Sequence, residues 1–351
     1  MEKLSISKEQ YSDLVNLCHG VFNPLNKFVN KREFISIIKK KKFNNFYFTF
    51  PIYFGIRKNE YKELKNIKIL DLYFKGNFVA KISIKNFFKI DHKFFGNKIY
   101  GKKFYNHPYY KKFKRDNFIF LDFSFLKISK KNCSPKYFTS PKNFKNFFKR
   151  KNKIKILAGF HTRNVPHTGH EWIHNSILKN YGALLIQPLI GQYKSGEYKE
   201  KIIIKSNLEA LKMYNTNKAF FTPFFSYPRY AGPLEAALHA IVRRNYGCTH
   251  FWVGRDHAGF KNFFKIYASQ NFCKKNQKKL KIKIIAQKEP RYCYGCEKIS
   301  NKCISKNCMK SKKEKISGTK VRKYIILNKK VPEFLLNPIF AKKLNKTSLI
   351  K

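Results

Sequence analysis

The chain has 351 residues, of which 75 are Lys or Arg and 20 are Asp or Glu, so its formal net charge is +55. This length is enough for two or three domains with a large buried core. No apolar run is long enough to span a bilayer, and the first residues lack the apolar region of a signal peptide. We therefore expect a cytoplasmic protein without a membrane partner.

The positive charge alone is typical of a protein that binds nucleic acid or an anionic membrane. However, the chain is rich in Lys, Asn, Ile, Phe and Tyr, whose codons are all rich in A and T. Residues 156–260 carry 12 Lys and Arg against 6 Asp and Glu, so most of the excess charge lies outside that block. We attribute the charge to mutational drift and expect nucleic-acid binding to be at most non-specific.

Residues 1–150 predict a small, mainly β domain. Short apolar runs alternate with Gly-Asn turns, as in the runs 67–74 and 78–84 on either side of the turn at 76–77. The Lys-rich segment 142–155 follows and predicts a solvated linker or a frayed helix. We place the first domain boundary in that segment.

The next part of the chain has the order strand, loop, helix. Residues 154–158 are mostly apolar and predict a short buried strand, and residues 172–178 carry apolar side chains at helical spacing. The loop 159–171 between them would lie where open α/β sheets bind phosphorylated ligands. Further apolar runs at 183–186 and 250–253 predict additional strands. This alternation predicts an α/β domain.

The loop carries side chains suited to a phosphate or sulfate group. Arg163 offers a forked cation and Asn164 a neutral donor. His167 and His170 are three residues apart, so both imidazoles project from one face at the start of a helix. Such a pair could bind a metal or simply begin a helix, but the Thr-Arg-Asn sequence directly before it favours a nucleotidyltransferase.

A second motif, Gly-Arg-Asp-His-Ala-Gly, occupies residues 254–259 after a predicted strand. Its two glycines bracket three ionisable residues, so the backbone can approach a ligand while ionic groups orient it. The segment 228–233 precedes a predicted helix, and its Arg229 fits either an anion contact or a structural anchor. His239, on that mostly apolar helix, is more typical of a structural histidine.

Four of the eight cysteines lie close together in a polar, Lys-rich segment. Cys293, Cys296, Cys303 and Cys308 have the spacing Cys-x2-Cys-x6-Cys-x4-Cys, and four thiolates with a Cys-x-x-Cys pair are what a tetrahedral zinc ion needs. Redox use of the Cys-x-x-Cys pair and plain structural cysteines are the alternatives. The pattern favours a structural zinc site.

Three segments together resemble the ATP sulfurylase (sulfate adenylyltransferase) family. Residues 159–171 resemble its Gln-Thr-Arg-Asn loop followed by His-x-x-His, residues 254–259 its Gly-Arg-Asp-His-Ala-Gly loop, and residues 316–322 its Ile-Ser-Gly-Thr-x-x-Arg segment. The resemblance implies an α/β fold with a Rossmann-like nucleotidyltransferase catalytic domain, an N-terminal PUA-like β domain and a small C-terminal helical segment. The expected boundaries are 1–150 for the PUA-like domain, 151–315 for the catalytic domain with its zinc loop, and 316–351 for the C-terminal segment.

The family's reaction converts ATP and sulfate to adenosine 5′-phosphosulfate (APS) and diphosphate, or the reverse, by in-line attack of a sulfate oxygen on the α-phosphorus. We expect Mg²⁺ to accompany ATP, Zn²⁺ to be structural, and the chain to form a homo-oligomer. The resemblance implies catalytic roles for Thr162, Arg163, Asn164, His167 and His170. It implies that sulfate is bound by His161, Arg163 and Ala258, and the nucleotide by His161, Thr162, Arg163, Asn164, Gly254, Arg255, Asp256 and His257.

Several positions depart from the family pattern. His161 stands where the family has Gln; a neutral imidazole still donates one hydrogen bond, so we expect retained activity with an added pH dependence between roughly pH 6 and 7. Cys308 replaces a family His in the zinc loop. After the second predicted strand, Gln187 replaces a family His, and Lys194 and Glu197 take the places of the family's Lys and Asp.

Two other functions stay open on the sequence. A different adenylyltransferase of the same superfold, such as a pantetheine- or nicotinamide-nucleotide type, would share the strand–loop–helix order, but the Arg163-Asn164 pair and the 254–259 motif together disfavour it. A basic RNA-binding protein that retains a decayed nucleotidyltransferase domain is the non-enzymatic alternative. It predicts damaged ligand loops, whereas these loops match the family pattern better than any other part of the chain.

Overall fold

A computed structural model describes residues 2–151, 153–191, 195–214, 216–303, 308 and 310–350. The chain divides into two compact units. The first unit comprises residues 1–151, 228–247 and 256–283, and the second comprises residues 152–227, 248–255 and 284–351. Among the described residues, no helix has the length and apolar character needed to cross a membrane.

The helices and strands are named in chain order. The helices are α1 (Lys8–Cys18), α2 (Lys31–Lys40), α3 (Lys58–Leu64), α4 (His92–Tyr100), α5 (Pro108–Asp116), α6 (Pro141–Lys151), α7 (Thr168–Asn180), α8 (Glu200–Met213), α9 (Pro233–Asn245), α10 (Ala268–Lys275), α11 (Gln277–Leu280), α12 (Gly318–Ile326) and α13 (Pro338–Ala341), with 3-10 turns at Phe104–Asn106 and Lys346–Ser348. The strands are β1 (Glu2–Ser5), β2 (Lys42–Phe43), β3 (Phe46–Tyr47), β4 (Gly55–Ile56), β5 (Ile69–Phe74), β6 (Asn77–Phe88), β7 (Ile119–Ile128), β8 (Leu157–Thr162), β9 (Ala183–Ile190), β10 (Ala219–Phe221), β11 (Phe224–Phe225), β12 (His250–Trp252), β13 (Lys283–Ile285), β14 (Arg291–Cys293), β15 (Lys298–Ser300) and β16 (Lys313–Lys315).

Five described strands of the first unit form a sheet in the order β1–β5–β6–β7–β4, and β2 and β3 form a separate antiparallel pair. β1 and β5 run parallel, and the other neighbours run antiparallel. Aromatic rings fill the core beside this sheet: Phe95 stacks on Phe113 at 3.9 Å between ring centroids, and Phe120 lies 5.5 Å from Phe34 and 5.3 Å from Tyr53. The Phe-rich composition therefore supplies the apolar burial that stabilises this unit.

Two helices of the first unit begin at capping boxes. Before α1, the Ser7 side chain accepts a hydrogen bond from the Gln10 N–H, and the Gln10 side chain accepts one from the Ser7 N–H. Asn30 and Glu33 make the same reciprocal pair before α2. Each box satisfies two backbone donors that a helix start would otherwise leave open. Residues 2–151 therefore contain the helices α1–α6 in addition to the strands that the apolar runs predict.

The Lys-rich connector is an ordered helix, α6, which corresponds to the helical alternative. Phe144 is buried, with its ring 6.2 Å from Phe148 and 6.0 Å from Tyr246. The Tyr246 hydroxyl donates to the Thr139 carbonyl at 2.8 Å, just before the helix. An aromatic face thus holds α6 in the first unit, while Lys142, Lys145 and Lys149 are exposed.

Six described strands of the second unit form a larger sheet, with the order β10–β9–β8–β12–β13 and with β11 also paired to β9. β8 runs parallel to β9 on one side and to β12 on the other. All residues of β9 are buried, as expected of a parallel strand covered on both faces. This strand continues through Gln187 and Pro188 to Ile190, so most of the loop expected there is strand.

Helix α7 packs on the centre of this sheet. Its residues Ile173 and Ile177 share a buried cluster with Phe160 of β8 and with Leu184 and Ile186 of β9. The order strand, loop, helix predicted for residues 154–178 is confirmed. The loop between β8 and α7 therefore lies at the carboxyl end of a central parallel strand.

The C-terminal part of the chain joins the second unit through a separate cluster. Ile203 of α8, Val321 and Ile325 of α12 and Leu336 are buried together with Tyr198. Before α12, strands β15, β14 and β16 form a small antiparallel sheet in that order.

Residues 348–350 pair with the segment that precedes α8. The Gly196 N–H donates to the Ile350 carbonyl at 2.9 Å, and the Ile350 N–H donates to the Glu197 carbonyl at 2.8 Å. The Lys199 N–H donates to the Ser348 carbonyl at 2.9 Å, and Tyr198 and Leu349 form an antiparallel bridge. The C-terminal residues thus hold the segment 196–199 in place.

Candidate active site

The loop between β8 and α7 is held by its own side chains. Thr162 is the last residue of β8, and its Oγ1 accepts a hydrogen bond from the Asn164 N–H at 3.0 Å. His167 caps α7, and its Nδ1 accepts a hydrogen bond from the His170 N–H at 3.3 Å. The capping bond fixes the His167 ring at the helix start, where unsatisfied N–H groups favour an anion.

The two loop histidines lie against each other, as their spacing predicts. The rings of His167 and His170 stack at 3.7 Å between centroids with an interplanar angle of 25°. Burial lowers the pKa of His167 to about 4, and burial together with the neighbouring His167 and His174 places the pKa of His170 well below its usual value. Both imidazoles are therefore neutral near pH 7 and act as hydrogen-bond donors or acceptors rather than as cations.

His174 and Tyr214 extend this pair, and sequence reasoning missed both. The His174 ring lies 6.3 Å from His170 and 4.4 Å from Phe160, and its Nδ1 is 2.5 Å from the Tyr214 hydroxyl. Burial lowers the pKa of His174 to about 3. The helical spacing of four after His170 is the one signal that could have identified His174.

The buried histidines predict a loss of stability in mild acid. A histidine whose folded pKa is depressed contributes stability that is present above pH 6.5 and is lost as the pH falls. Between pH 7 and pH 5, His167 and His174 should each reduce the free energy of unfolding by about 2 kcal/mol. Urea unfolding at the two pH values measures this, and His174→Gln should lose part of the pH dependence. An identical pH dependence in this variant would contradict the assignment.

Asn164 is enclosed by residues from α8 and α12. The Arg322 guanidinium donates through Nη1 to Asn164 Oδ1, and its Nη2 lies 3.4 Å from Thr319 Oγ1. The Asn207 side chain donates to the Asn164 carbonyl at 3.5 Å. A Cβ on Gly318 would lie 2.6 Å from the Asn164 carboxamide carbon. The Ile-Ser-Gly-Thr segment therefore packs directly on the Asn164 side chain.

Gly318→Ala tests this arrangement. The added methyl group would displace the Asn164 amide, because a carbon–carbon distance of 2.6 Å is far inside van der Waals contact. Since the displaced group is a side chain, we expect a fall in kcat of about tenfold or more with little change in the melting temperature. Steady-state kinetics and a thermal melt measure the two effects. An unchanged kcat in Gly318→Ala would contradict the packing of this segment on Asn164.

Arg163 contacts an acidic residue of the segment 196–199. Its Nη1 lies 3.7 Å from Glu197 Oε1, and its side chain is 34% exposed. His161 is half-buried near the end of β8, where it is the register partner of Gln187. Lys194, which the resemblance assigns to this region, lies outside the described residues.

The residues of the 254–259 motif are divided between the two units. In the second unit, Gly254 and Arg255 follow β12, and Arg255 Nη1 lies 3.4 Å from Glu289 Oε1. Glu289 Oε1 also lies 3.7 Å from Arg291 Nη2. Arg255 is thus oriented by a carboxylate that the sequence pattern does not reveal.

The other residues of the motif lie in the first unit. Ala258 has φ +57°, an uncommon value for a residue with a side chain, and its carbonyl accepts a hydrogen bond from the Gly232 N–H at 2.9 Å. A Cβ on Gly259 would lie 2.1 Å from Asp256 Oδ1. His257 Nε2 lies 2.9 Å from His239 Nδ1. The turn therefore requires glycine at 259, and the His239 contact orients His257.

Arg229 is a structural anchor rather than an anion contact. Its Nη2 donates to both carboxylate oxygens of Asp13 at 2.6 and 2.7 Å, and both side chains are buried. Glu235 at the start of α9 accepts hydrogen bonds from the N–H groups of Arg229 and Ala231 at 3.0 Å each. These contacts hold the segment 228–233 to α1 and α9 within the first unit.

The four clustered cysteines converge in the second unit. Their four sulfur atoms all lie within 4.8 Å of one another, and they belong to Cys293, Cys296, Cys303 and Cys308. Cys293 and Cys308 are buried, and Cys296 and Cys303 are half-buried. The Ser311 hydroxyl lies 3.1 Å from the Cys293 sulfur and lowers the pKa of that thiol to about 6. Zinc–sulfur bonds of about 2.3 Å place neighbouring sulfurs about 3.8 Å apart, so the cluster could hold a metal ion.

Comparison with known proteins covers most of the chain. The sequence model of the ATP-sulfurylase family matches residues 135–347, and that of the PUA-like domain matches residues 1–121. The chain is 32% identical to the sulfate adenylyltransferase of Ignicoccus hospitalis, over 97% of this chain and 89% of that protein. It is also 32% identical to the sulfate adenylyltransferase of Pyrococcus abyssi, over 96% of this chain and 88% of that protein.

Among solved structures, the fold is similar to that of a hexameric APS kinase from Thiobacillus denitrificans. The TM-score is 0.74 at 15% sequence identity, and the match covers 98% of this chain and 62% of that one. This likeness is one of fold alone, and this chain spans less than two thirds of the length of that protein. The α/β fold with an N-terminal PUA-like domain is confirmed. The division at residues 150 and 315 stays a prediction.

Proposed function

The chain belongs to the ATP-sulfurylase family, and we propose how its own residues carry out the family's reaction, in which ATP and sulfate give APS and diphosphate. The observation that carries the proposal is the loop between β8 and α7. There hydrogen bonds and a ring contact fix four side chains at the carboxyl end of a parallel strand, those of Thr162, Asn164, His167 and His170. Fixed donors at such a place suit a phosphoryl group whose charge changes during reaction.

In this proposal Arg163 binds sulfate and aligns one of its oxygens with the α-phosphorus. Asn164 and Thr162 orient the α-phosphate. The attack is in line, the bond from the α-phosphorus to the diphosphate oxygen breaks as the new bond to sulfate oxygen forms, and no covalent enzyme intermediate is needed. Asn164 suits this role because Arg322 and Asn207 hold its amide and carbonyl before any ligand arrives.

His167 and His170 stabilise negative charge that moves onto the diphosphate. Because both are neutral, each offers an N–H rather than a full positive charge, and this binds the leaving group without holding it too tightly after reaction. His170 Nδ1 is buried and has no hydrogen-bond partner among the described residues, so this atom stays open to a ligand or water.

The remaining predicted site residues are assigned by resemblance. His161, Gly254, Arg255, Asp256 and His257 are proposed to contact the nucleotide, and the Ala258 N–H and His161 to contact sulfate. A Gln in place of His161 would test the pH dependence expected from that imidazole. We expect a sulfate KM that varies between about pH 6 and 7 in the wild type and not in His161→Gln.

Two metal ions are part of the proposal. Mg²⁺ neutralises the ATP phosphates, and it would travel with the nucleotide, because the described residues show no cluster of carboxylates that could hold it. Zn²⁺ suits the four cysteines, because it prefers soft thiolate ligands and their four sulfurs all lie within 4.8 Å of one another. The zinc site would be structural, since four protein ligands leave no open position.

The direct test of the proposed function is sulfate-dependent release of diphosphate from ATP by purified protein with Mg²⁺ and inorganic pyrophosphatase. We expect phosphate production that requires both ATP and sulfate. Phosphate production that is independent of sulfate would contradict the proposal. Light scattering of the same sample tests the predicted homo-oligomer.

A further inference from the structure

Glu197 is an acidic residue that lies beside Arg163, the proposed sulfate ligand. Its Oε1 lies 3.7 Å from Arg163 Nη1, too far for a hydrogen bond but close enough for an ion pair. The Glu197 side chain is 16% exposed, and its Oε2 is buried without a hydrogen-bond partner among the described residues. A carboxylate in this position is a counter-ion for Arg163 that the chain itself supplies.

The backbone around Glu197 is fixed from both sides of the residue. On one side the Gly196 N–H donates to the Ile350 carbonyl at 2.9 Å, and the Ile350 N–H donates to the Glu197 carbonyl itself at 2.8 Å. The next residue, Tyr198, is buried, and the Arg322 guanidinium lies over its ring at 5.9 Å. The backbone position of Glu197 is therefore fixed by its hydrogen bonds with residues 348–350.

We propose that Glu197 is a specificity-determining residue, which competes with anions for Arg163 and is held in place by the C-terminal residues 348–350. This inference rests on the proposed function, because it assumes that Arg163 binds sulfate. A chain of net charge +55 attracts every small anion in solution. A tethered carboxylate has a high effective concentration beside the guanidinium. Singly charged anions displace it poorly, whereas sulfate displaces it through two charges and several hydrogen-bonding oxygens.

The test replaces Glu197 by Gln, which keeps the size and removes the charge. We expect the KM for sulfate to fall by about three- to tenfold, the KM for ATP to change less than twofold, and chloride to become a stronger inhibitor. Glu209→Gln is the matched control, because Glu209 lies on α8 and pairs with Lys343. This control should leave all three quantities unchanged. A sulfate KM that is unchanged or higher in Glu197→Gln would overturn the proposal.

A second variant and a binding measurement test the role of residues 348–350 and the role of Glu197 separately from the proposed function. Ile350→Pro removes the N–H that holds the Glu197 carbonyl, so it should shift the sulfate KM in the same direction as Glu197→Gln; no shift would overturn the role of residues 348–350. Calorimetric titration of sulfate in the presence of α,β-methylene-ATP reports the effect of Glu197→Gln without turnover. An inactive wild type would refute the proposed function, and a titration in which the variant does not bind sulfate more tightly would refute the role of Glu197.

Discussion

Arg163→Ala is expected to reduce ATP formation from APS and diphosphate by about 100- to 1,000-fold. The guanidinium is the cation of the loop between β8 and α7, and an alanine there leaves the departing sulfate, which gains its second negative charge as its bond to the α-phosphorus breaks, without its charged partner. The loop should keep its shape, because Thr162, Asn164 and His167 make its internal hydrogen bonds. The fall should therefore occur without a change in thermal unfolding.

Arg115→Ala is the control for this experiment. Arg115 is an exposed arginine of α5 in the first unit, with a side chain that is 70% exposed, and its loss should leave the rate unchanged. If the rate of Arg163→Ala stays within threefold of the wild-type rate, Arg163 does not bind the reacting sulfate. That result would also contradict the proposed role of Glu197, which assumes that Arg163 binds sulfate.

Loss of the metal from the cysteine cluster should have the second large effect. We expect about one zinc ion per chain, and Cys296→Ser should reduce the bound zinc and lower the melting temperature by several degrees, because binding to the folded state alone adds directly to stability. Activity should fall as well. The strand β16 ends at Lys315, two residues before Ser317, whose side chain caps α12 by accepting a hydrogen bond from the Lys320 N–H.

We expect zinc loss to lower activity because it would displace α12, the helix that follows the cysteine segment. That helix carries Gly318 and Arg322, which pack on and hydrogen-bond to Asn164. Cys18→Ser, a cysteine of the first unit outside the cluster, is the matched control and should retain zinc. Atomic emission spectroscopy measures the zinc content, and a thermal melt measures the stability. Full zinc content in Cys296→Ser, or zinc loss without any change in stability, would contradict a structural site.

The fold around the site follows from local patterns in the sequence. Three local patterns each act within a few residues, and the structure has a strand or helix at each of them: the apolar run before Thr162, the apolar side chains at helical spacing in residues 172–178, and Pro233 at the end of the segment 228–233. The extension of β9 through Gln187 and Pro188 is different. A proline has no N–H to give to a sheet, so it predicts the end of a strand, and only pairing with β8 and β11 overrides that preference.

The partners of the site residues could not be predicted, because they are distant in sequence. Arg322 lies 158 residues from Asn164, and Tyr214 lies 40 residues from His174. Glu197 stands in a position that the family pattern marks as acidic, but nothing in that pattern indicates contact with Arg163. Motif spacing predicts which residues contact a ligand, whereas the residues that orient them depend on the packing of α8, α12 and the C-terminal residues.

As a member of the ATP-sulfurylase family, this chain transfers an adenylyl group between sulfate and diphosphate. Diphosphate-dependent formation of ATP from APS, by purified, zinc-replete protein with Mg²⁺ and followed by luciferase luminescence, is the direct test of this activity. We expect ATP production that requires both APS and diphosphate. Folded, zinc-loaded protein that makes no ATP would contradict it and would favour the alternative of a basic RNA-binding protein with a decayed catalytic domain.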